Sequence, residues 1–391
     1  MDQVLNDKNS PFEGQTREKP YLSGRQAHIL VAPLDWGLGH ATRCIPVVHE
    51  LMSLGCEVFL AGEEAQEKLL RAEFPHLPFL QLPGYRIRYA KTKKGLIWKM
   101  IQQGPKMRRA ILYEHQWLKK MVKQYKLDGI ISDNRYGLYH ETVPSVFMTH
   151  QLLIKSSAGK WTEKFLQKRN YKYINRFTEC WVPDREDNNN LAGELSHPVL
   201  KPTIPLHYIG LLSRFKKDSA VITEKKDHLL VVLSGPEPQR SILEERMIRD
   251  ISNYKGTAVI VRGLPGATTL IPSTNMIRVY NHLPAAELQQ EIGEAEYIIS
   301  RSGYSTVMDL ALLQKKSILI PTPGQTEQEY LGNFLMKKGM ALCINQERFS
   351  LTAALEKAAA YEYDLSFPCN EDLLKTVMKN FLSQSVTPAL G

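Results

Sequence analysis

Short runs of apolar residues alternate along this chain with longer segments in which apolar residues recur every three to four positions. The first run is 28–34, and a helical pattern follows from His40 to Leu54. Runs of this length between helical segments are typical of buried parallel strands. The pattern therefore predicts a parallel β-sheet with helices on both faces. Further strands are predicted at 57–61, 129–132, 144–148 and 180–182, and a helix at 63–74.

The alternation restarts after a stretch that contains Pro202, Pro205 and Gly210. Strands are predicted at 229–233, 257–261, 297–300 and 317–321, with helices at 239–254 and from Ala285 and Thr306. Two doubly wound, Rossmann-like α/β domains that face each other across a cleft are the simplest interpretation. The predicted division is a flexible tail 1–25, an N-terminal domain 26–204, a linker 205–216, a C-terminal domain 217–365 and a helical segment 366–391.

Cysteine usage and the N-terminal residues bear on the compartment. The five cysteines have neither disulfide-framework nor zinc-site spacing, which favours a reducing environment. Residues 1–25 lack the basic and then apolar pattern of a signal peptide, and the chain has no run of about 18 apolar residues. We therefore expect a cytoplasmic protein.

The net charge of +9 is concentrated in one segment. Residues 86–126 contain 13 lysines and arginines against one acid, Glu114, so the rest of the chain carries −3. Aromatic residues such as Trp98 and Trp117 lie among these charges. The segment could contact an anionic bilayer from the cytoplasmic side. An ordinary helix pair with a solvated basic face is the alternative, and no recognition motif supports nucleic-acid binding.

Ligands of doubly wound sheets bind where strands lead into helices. The first such loop contains Gly37 and Gly39 and ends at His40. Glycines let a backbone approach a ligand closely, and histidine can act as a general base near neutral pH. A simple turn with His40 as a capping group is the competing interpretation.

A second loop, Arg301–Thr306, follows a strand and leads into a predicted helix at 307–313. Gly303 permits a tight turn, and the N–H groups of a helix start suit a diphosphate. Thr306 and Asp309 have the spacing of a capping box, so Asp309 either caps the helix or binds the hydroxyls of a ribose. After the next strand, Gln328 and Glu329 carry groups that match sugar hydroxyls, although loop polarity is common.

These residues resemble the GT-B glycosyltransferases, and among them the MurG-like group with a glycosyltransferase family 28 C-terminal domain. The similarity covers about 29–338, and its most specific part runs from His282 to Asn333. It implies that Asp309 binds the ribose, that Gln328 and Glu329 bind the sugar, and that Leu283 lies beside the base. It also implies that the turn holds the nucleotide diphosphate, through Ser302, Gly303, Ser305 and Thr306.

On the acceptor side, the resemblance assigns Gly37, Gly39 and His150 to the binding site, and Asp133 follows a strand nearby. There are departures from the family pattern. The loop after the first C-terminal strand contains Gly235, as expected of a donor site, but also two prolines and Glu237. Prolines remove N–H donors, and a carboxylate repels phosphate.

The sequence thus predicts transfer of a sugar from a nucleotide-sugar donor, with a UDP-sugar implied by the resemblance. The acceptor is a hydroxyl group that could be lipid-linked. Inversion, His40 as the base and independence of metal and cofactor are expected. A nucleotide-sugar hydrolase or epimerase, a non-catalytic nucleotide-sugar sensor and, least of all, a nicotinamide oxidoreductase remain as alternatives.

Overall fold

The computed structural model describes residues 26–85, 93–216, 222–269, 271–368 and 372–386. The predicted tail 1–25 therefore lies outside the described residues, as does the 86–92 part of the basic segment. Of residues 93–103 only the helical backbone is described.

The N-terminal half forms a seven-stranded sheet in the order β3-β2-β1-β4-β5-β6-β7. Every pair is parallel, and the order reverses between β1 and β4, which is the topology of a doubly wound sheet. The strands are β1 (His28–Pro33), β2 (Glu57–Gly62), β3 (Phe79–Gln81), β4 (Gly129–Asp133), β5 (Ser145–Met148), β6 (Glu179–Val182) and β7 (Leu206–Tyr208). The helices are α1 (Leu38–Ser53), α2 (Glu64–Glu73), α3 (Lys93–Tyr125) and α4 (Lys160–Ile174).

The C-terminal half repeats this architecture with a six-stranded parallel sheet in the order β10-β9-β8-β11-β12-β13. The predicted fold class, two Rossmann-like domains, is confirmed. The strands are β8 (His228–Val232), β9 (Thr257–Val261), β10 (Ile277–Tyr280), β11 (Tyr297–Ser300), β12 (Ser317–Leu319) and β13 (Leu342–Cys343). The helices are α5 (Gln239–Ile251), α6 (Ala285–Glu294), α7 (Tyr304–Leu312), α8 (Thr326–Lys337) and α9 (Leu351–Ala359).

Two element boundaries differ from the sequence prediction in ways that matter for the cleft. Helix α1 begins at Leu38, two residues earlier than predicted, and helix α7 begins at Tyr304, two to three residues before its predicted start at Thr306 or Val307. In both cases a glycine precedes the helix and no side chain caps it. The predicted linker 205–216 contains β7, so the first sheet continues four residues past the predicted domain end. We propose that the domains divide between Tyr208 and His228.

Helix α3 explains part of the basic segment. Ile111 and Leu118 are buried in the first domain, and Trp117 and Met121 pack against the core. Glu114 is also buried, where it binds the guanidinium of Arg135 at 2.9 Å. The described apolar residues of α3 are thus largely used in packing. Among the helices of the described segments, none combines the length and the apolar character needed to cross a bilayer.

A final helix, α10 (Asp372–Val386), returns from the second domain to the first and packs against α1. Its Phe381 is fully buried, and the ring lies edge-on to Trp181 of β6 with centroids 5.7 Å apart. Gly129 of β4 makes room for this ring, since an added Cβ would lie 2.9 Å from Phe381 Cζ. The C-terminal helix is therefore part of the first domain's core.

Replacing Phe381 with alanine should lower the free energy of unfolding of the first domain by about 3–5 kcal/mol, because it leaves a cavity against Trp181. Urea unfolding followed by tryptophan fluorescence measures this. The exposed Lys379→Ala on the same helix is the control and should change stability little. Equal stabilities of the two variants would contradict the packing role of α10.

Candidate functional site

The starts of helices α1 and α7 meet across the cleft between the domains. The Ser305 hydroxyl of α7 donates a hydrogen bond to the Gly39 carbonyl of α1 at 2.7 Å. A Cβ on residue 39 would lie 3.1 Å from that hydroxyl, so the close approach favours glycine. Gly37 has φ +82°, which glycine adopts readily. The structure therefore brings the predicted acceptor-side glycines next to the predicted donor-side turn.

Five side chains form a polar network at this junction: His40, Arg43, Asp133, His150 and Glu327, of which Arg43, Asp133 and His150 are buried. We call it the Asp133 network. Asp133 ends β4 and is fully buried. Nε of Arg43 donates to its Oδ2 at 2.9 Å, and Nη2 of the same guanidinium contacts Oδ1. His40 Nδ1 lies 3.0 Å from Oδ2. Because His40 and Arg43 are three residues apart on α1, they share one helix face.

The carboxylate of Asp133 is held in its ionised form. Burial by itself would raise the pKa of Asp133, but the charges and hydrogen bonds of Arg43 and His40 lower that pKa to about 2. Asp133 also favours the charged form of Arg43 and raises its pKa despite burial. A buried ion pair of this kind is stable only while both partners are present.

The network continues into the second domain. Nη1 of Arg43 lies 3.2 Å from His150 Nδ1, and His150 Nε2 lies 2.7 Å from Glu327 Oε1. Because arginine only donates, His150 Nδ1 accepts and Nε2 carries the proton that is donated to Glu327. Burial lowers the pKa of His150, although Glu327 opposes the shift. Burial raises the pKa of Glu327, but the hydrogen bond from His150 and the charges of His150, His40 and Arg43 together lower it, so the net shift of this pKa is downward.

His40 can adopt two arrangements within the network. Its Nδ1 lies 2.8 Å from Nη2 of Arg43 as well as 3.0 Å from Asp133. It therefore either accepts from Arg43 or donates to Asp133, and only the second arrangement leaves a lone pair on Nε2. The side chain of His40 is 16% exposed, so part of the imidazole faces solvent. A histidine oriented by a buried carboxylate is an arrangement suited to general base catalysis.

On the donor side, Asp309 does not cap its helix. Helix α7 starts at Tyr304, so Asp309 lies in its second turn, and the capping-box prediction for Thr306 and Asp309 is wrong. Instead, the Ser213 hydroxyl donates to Asp309 Oδ1 at 2.5 Å. Burial raises the pKa of Asp309 to about 6, although Ser213 and the nearby Arg214 partly oppose the shift. The carboxylate is held by a single hydroxyl group that a ribose hydroxyl could replace.

Three buried polar atoms around the same loops lack a hydrogen-bond partner among the described residues. They are Nε of Arg214, Nε of Arg301 and the hydroxyl of Thr322. The guanidinium of Arg301 otherwise binds only carbonyl groups, those of Gln239, Ile320 and Pro321. Burial lowers the pKa of Arg301 to about 10 and also lowers that of Arg214. Buried cationic groups with unused donors favour an anionic ligand.

The predicted sugar-binding side chains brace their own loop in this structure. Gln328 accepts from the Thr322 amide at 2.9 Å, and Glu329 accepts from the Gly324 amide at 3.0 Å. The Ser302 hydroxyl is buried and donates to the Gln328 carbonyl at 2.7 Å. Ser302 can therefore offer a ligand its main chain, whereas Gln328 and Glu329 must exchange partners to bind a sugar.

The remaining predicted donor residues occupy three environments. The side chain of Leu283 is 4% exposed within the core, so only its main chain is available to a base. Thr306 is half-buried in the first turn of α7, and an added Cβ on Gly303 would meet open space. A Cβ on Gly235 would lie 3.4 Å from the Thr322 hydroxyl, which brings these two loops together.

The carboxylate of Glu237, which the sequence pattern makes unfavourable for phosphate, is paired in the structure. It accepts from Arg240 Nε at 2.6 Å and from the Ser241 amide at 3.2 Å. These contacts together lower the pKa of Glu237 against the effect of burial. The loop after β8 is thus less repulsive toward a phosphate than its sequence indicates.

One group of metal-ligating residue types lies elsewhere in the described part of the second domain: His228, Glu291 and Glu294. Each already has a partner. His228 Nδ1 lies 2.7 Å from the Thr257 hydroxyl, and Lys225 donates to Glu294 at 2.6 Å. These hydrogen bonds and ion pairs account for the cluster as a structural feature of the second domain.

Sequence reasoning missed Arg43, Ser213, Arg214, Arg301 and Glu327. The spacing of Arg43 three residues after His40 is a signal that could have identified it, and Glu327 directly precedes Gln328. Arg301 begins the predicted donor loop, Arg301–Thr306, but the sequence assigned it no role. The contact between Ser213 and Asp309 joins residues 96 positions apart, and a single sequence carries no signal for it.

Residues 273–365 match the model of the glycosyltransferase family 28 C-terminal domain. The chain is 20% identical to a Haemophilus ducreyi UDP-N-acetylglucosamine–N-acetylmuramyl-(pentapeptide) pyrophosphoryl-undecaprenol N-acetylglucosamine transferase, over 80% of this chain and 83% of that protein. The enzyme of the same name from Rhodopseudomonas palustris is 34% identical over 87 residues, 22% of each chain.

Solved glycosyltransferases share the whole fold. The glycotransferase of kitacinnamycin superposes with a TM-score of 0.60 at 12% identity and covers 93% of this chain and 97% of its own. The glycosyltransferase SnogD from Streptomyces nogalater superposes with a TM-score of 0.59 at 13% identity. The superposition covers 92% of this chain and 100% of SnogD. Together with the two parallel sheets of this chain, these likenesses confirm the GT-B fold class.

Replacing Asp309 with asparagine should stabilise the ligand-free protein above pH 6. A carboxyl group with a raised pKa binds its proton more tightly in the folded state than in the unfolded chain, whose ordinary value is 3.8. Ionising it therefore costs stability, and the cost is complete above about pH 6 and absent below about pH 4. We expect a gain of up to about 3 kcal/mol at pH 7.5 and little or none at pH 4.

Chemical unfolding at both pH values measures this, with the exposed Asp372→Asn as the control. A gain that is equal at the two pH values would contradict a raised pKa for Asp309.

Proposed function

We propose, on the premise that this chain is a GT-B glycosyltransferase with a family 28 C-terminal domain, that it transfers a sugar from a UDP-sugar to an acceptor hydroxyl with inversion and without a metal ion. The single observation that carries the proposal is the His40–Asp133 pair, which lies beside the start of α7, where the Ser305 hydroxyl contacts Gly39 at 2.7 Å. A base and an anion site thus lie side by side.

The donor would occupy the second domain. In this proposal, Asp309 exchanges Ser213 for the ribose hydroxyls, and Gln328 and Glu329 turn to the sugar. The diphosphate meets the uncapped main-chain N–H groups at the start of α7 and the unused donors of Arg214 and Arg301. Helix N-termini and guanidinium groups are established binding groups for phosphate.

The transfer step needs one base and a stabilised leaving group. Nε2 of His40 removes the proton of the acceptor hydroxyl, and the acceptor oxygen forms a bond to the anomeric carbon. The bond from that carbon to the β-phosphate oxygen breaks on the opposite face, and UDP leaves with the electron pair. Asp133 stabilises the imidazolium that forms, and the start of α7 stabilises the charge on the departing diphosphate. The configuration at the anomeric carbon inverts.

A thermal-shift screen with nucleotide sugars tests the donor class, because a ligand that binds only the folded state raises its stability. UDP-sugars should raise the melting temperature, whereas the corresponding GDP-sugars should not. Transfer of a radiolabelled sugar from each binding donor to hydroxyl acceptors then tests the reaction. Rapid release of free sugar or an epimer without acceptor would favour the hydrolase or epimerase, and tight binding without turnover would favour a sensor.

Replacing His40 with alanine should lower kcat for transfer by about 10²- to 10⁴-fold, because it removes the base, and should leave the Kd of the donor unchanged. Initial rates and calorimetric binding measure the two quantities separately. His49→Ala is the matched control, since His49 lies on the same helix and its side chain is 55% exposed. Wild-type kcat in the His40 variant would remove His40 from the chemistry.

The relatives named above act, by their names, on a pyrophosphoryl-undecaprenol acceptor, and a lipid-linked acceptor is our proposal here. This would need contact with the cytoplasmic face of a membrane. The described apolar side chains of the predicted 86–126 segment are largely packed, but a basic groove lies between α3 and α4. It is lined by Arg108, Lys168, Arg169, Lys172 and Arg176 around Phe165.

Exposed aromatic side chains accompany the groove. Trp161 on α4 is 88% exposed and Phe165 is 59% exposed, while Leu112 on α3, one turn beyond Arg108, is 52% exposed. An anionic bilayer surface attracts cationic side chains, and exposed aromatic and aliphatic side chains insert at its interface. We therefore propose that the membrane contact uses this groove and α4.

Replacing Lys168, Arg169 and Lys172 with alanine should weaken binding to phosphatidylglycerol vesicles about 100-fold, since each cation near the surface contributes about 1 kcal/mol. Vesicle sedimentation at low salt measures the affinity. The control replaces Lys119, Lys120 and Lys123 of α3, which changes the charge equally. The same loss in both variants, or no binding by the wild type, would contradict a contact through the groove.

A further inference from the structure

We infer that Glu327 is a positioning residue that orients the proposed base, His40, through His150 and Arg43. The inference rests on the proposed role of His40. Glu327 belongs to the second domain, whereas the other four members of the Asp133 network belong to the first. Its carboxylate is therefore the link by which the donor domain acts on the side chain that would take the proton.

Helix α8 presents different residues to the first domain and to the loop after β12 of its own domain. In its first turn, the Thr326 hydroxyl donates to the Lys155 carbonyl at 2.8 Å, and Glu327 binds His150, both in the first domain. One turn on, the Tyr330 hydroxyl accepts from the Glu194 amide. The intervening Gln328 and Glu329 contact the loop after β12 instead. The proposed sugar-binding side chains and those that bind the first domain thus lie within the same two turns of one helix.

His150 is held by the second domain in two ways. Its ring stacks on Tyr304 of α7, with centroids 4.1 Å apart and planes 9° from parallel, and its Nε2–H donates to Glu327 at 2.7 Å. Stacking fixes the plane of the ring but allows either nitrogen to carry the proton. Glu327 and Arg43 together favour the form with the proton on Nε2, because a carboxylate only accepts and a guanidinium only donates.

The selected form determines the position of Arg43. With the proton on Nε2, Nδ1 accepts from Arg43, whose other nitrogens bind both oxygens of Asp133. Without Glu327, the Nε2–H of His150 loses its acceptor. If the proton then moved to Nδ1, it would point at the N–H donors of Arg43, which is unfavourable. Movement of this guanidinium would release an oxygen of Asp133 and change which partner His40 Nδ1 binds. The tautomer of His40 decides whether Nε2 can act as a base.

The test is the NMR spectrum of imidazole nitrogens in the full-length protein labelled with ¹⁵N-histidine. The signals of His40 and His150 are assigned from the His40→Gln and His150→Gln variants. In Glu327→Ala the His40 signals should shift. In Glu327→Gln they should stay close to wild type, since the amide oxygen can still accept from Nε2–H. If the alanine variant is not folded, it is replaced by Glu327→Met, because methionine has a volume similar to that of glutamate but no carboxylate.

Thr326→Val is the matched control, because it removes a hydrogen bond between the same helix and the first domain and leaves the network intact. It should not shift the His40 signals. Unchanged His40 signals in Glu327→Ala would overturn the inference, and so would an equal shift in Thr326→Val, which would mean that Glu327 only docks the domains.

Two further measurements separate this inference from the proposed function. UDP is added to the wild type and to Glu327→Ala, and melting temperatures report its binding. Failure of UDP to bind the wild type would contradict the proposed donor, while the His40 signals would still decide the role of Glu327. With substrates from the transfer screen, Glu327→Ala should lose at least about tenfold in kcat, with an unchanged KM for the donor. An unchanged kcat would overturn the inference.

Discussion

Asp133 is a fully buried carboxylate at the end of a strand, and its charge depends on two hydrogen-bond partners that one helix supplies. Arg43 is itself buried and binds both carboxylate oxygens, while His40, one turn earlier on α1, faces Oδ2. Removing one member would leave the others charged in a low-dielectric environment, which is costly. This constraint fixes the start of α1 against β4 and thereby places His40 at the mouth of the cleft.

The same constraint reaches the second domain. Arg43 has a donor left over for His150, and His150 has one for Glu327, so the requirement that buried polar groups be paired joins the two domains. The Ser305–Gly39 contact lies at the same junction and brings the two helix starts together. The proposed catalytic and donor-binding groups are thus positioned by one set of contacts. This explains how a reaction that uses groups from both domains can be assembled in a cleft.

The fold was predictable because parallel strands buried on both faces are short apolar runs, as 28–34 and 297–300 illustrate. The strand-to-helix loops were predictable for the same reason. The start of α7 was not, because the Thr306 and Asp309 spacing imitates a capping box, while the helix begins after the uncapped Gly303. The residues of the Asp133 network were predictable only in part. His40, Asp133 and His150 follow glycines or strands, but Glu327 reaches His150 across 177 positions, which no local pattern records.

The central claim is that a uridine diphosphate sugar binds between these domains, with its ribose at Asp309 and its diphosphate at the start of α7. A crystal structure of the protein with UDP decides whether it does. In that complex the ribose hydroxyls should replace Ser213 on Asp309, and the diphosphate should contact the main-chain N–H groups of Tyr304 and Ser305. UDP bound elsewhere, or an Asp309–Ser213 hydrogen bond that persists beside bound UDP, would contradict it.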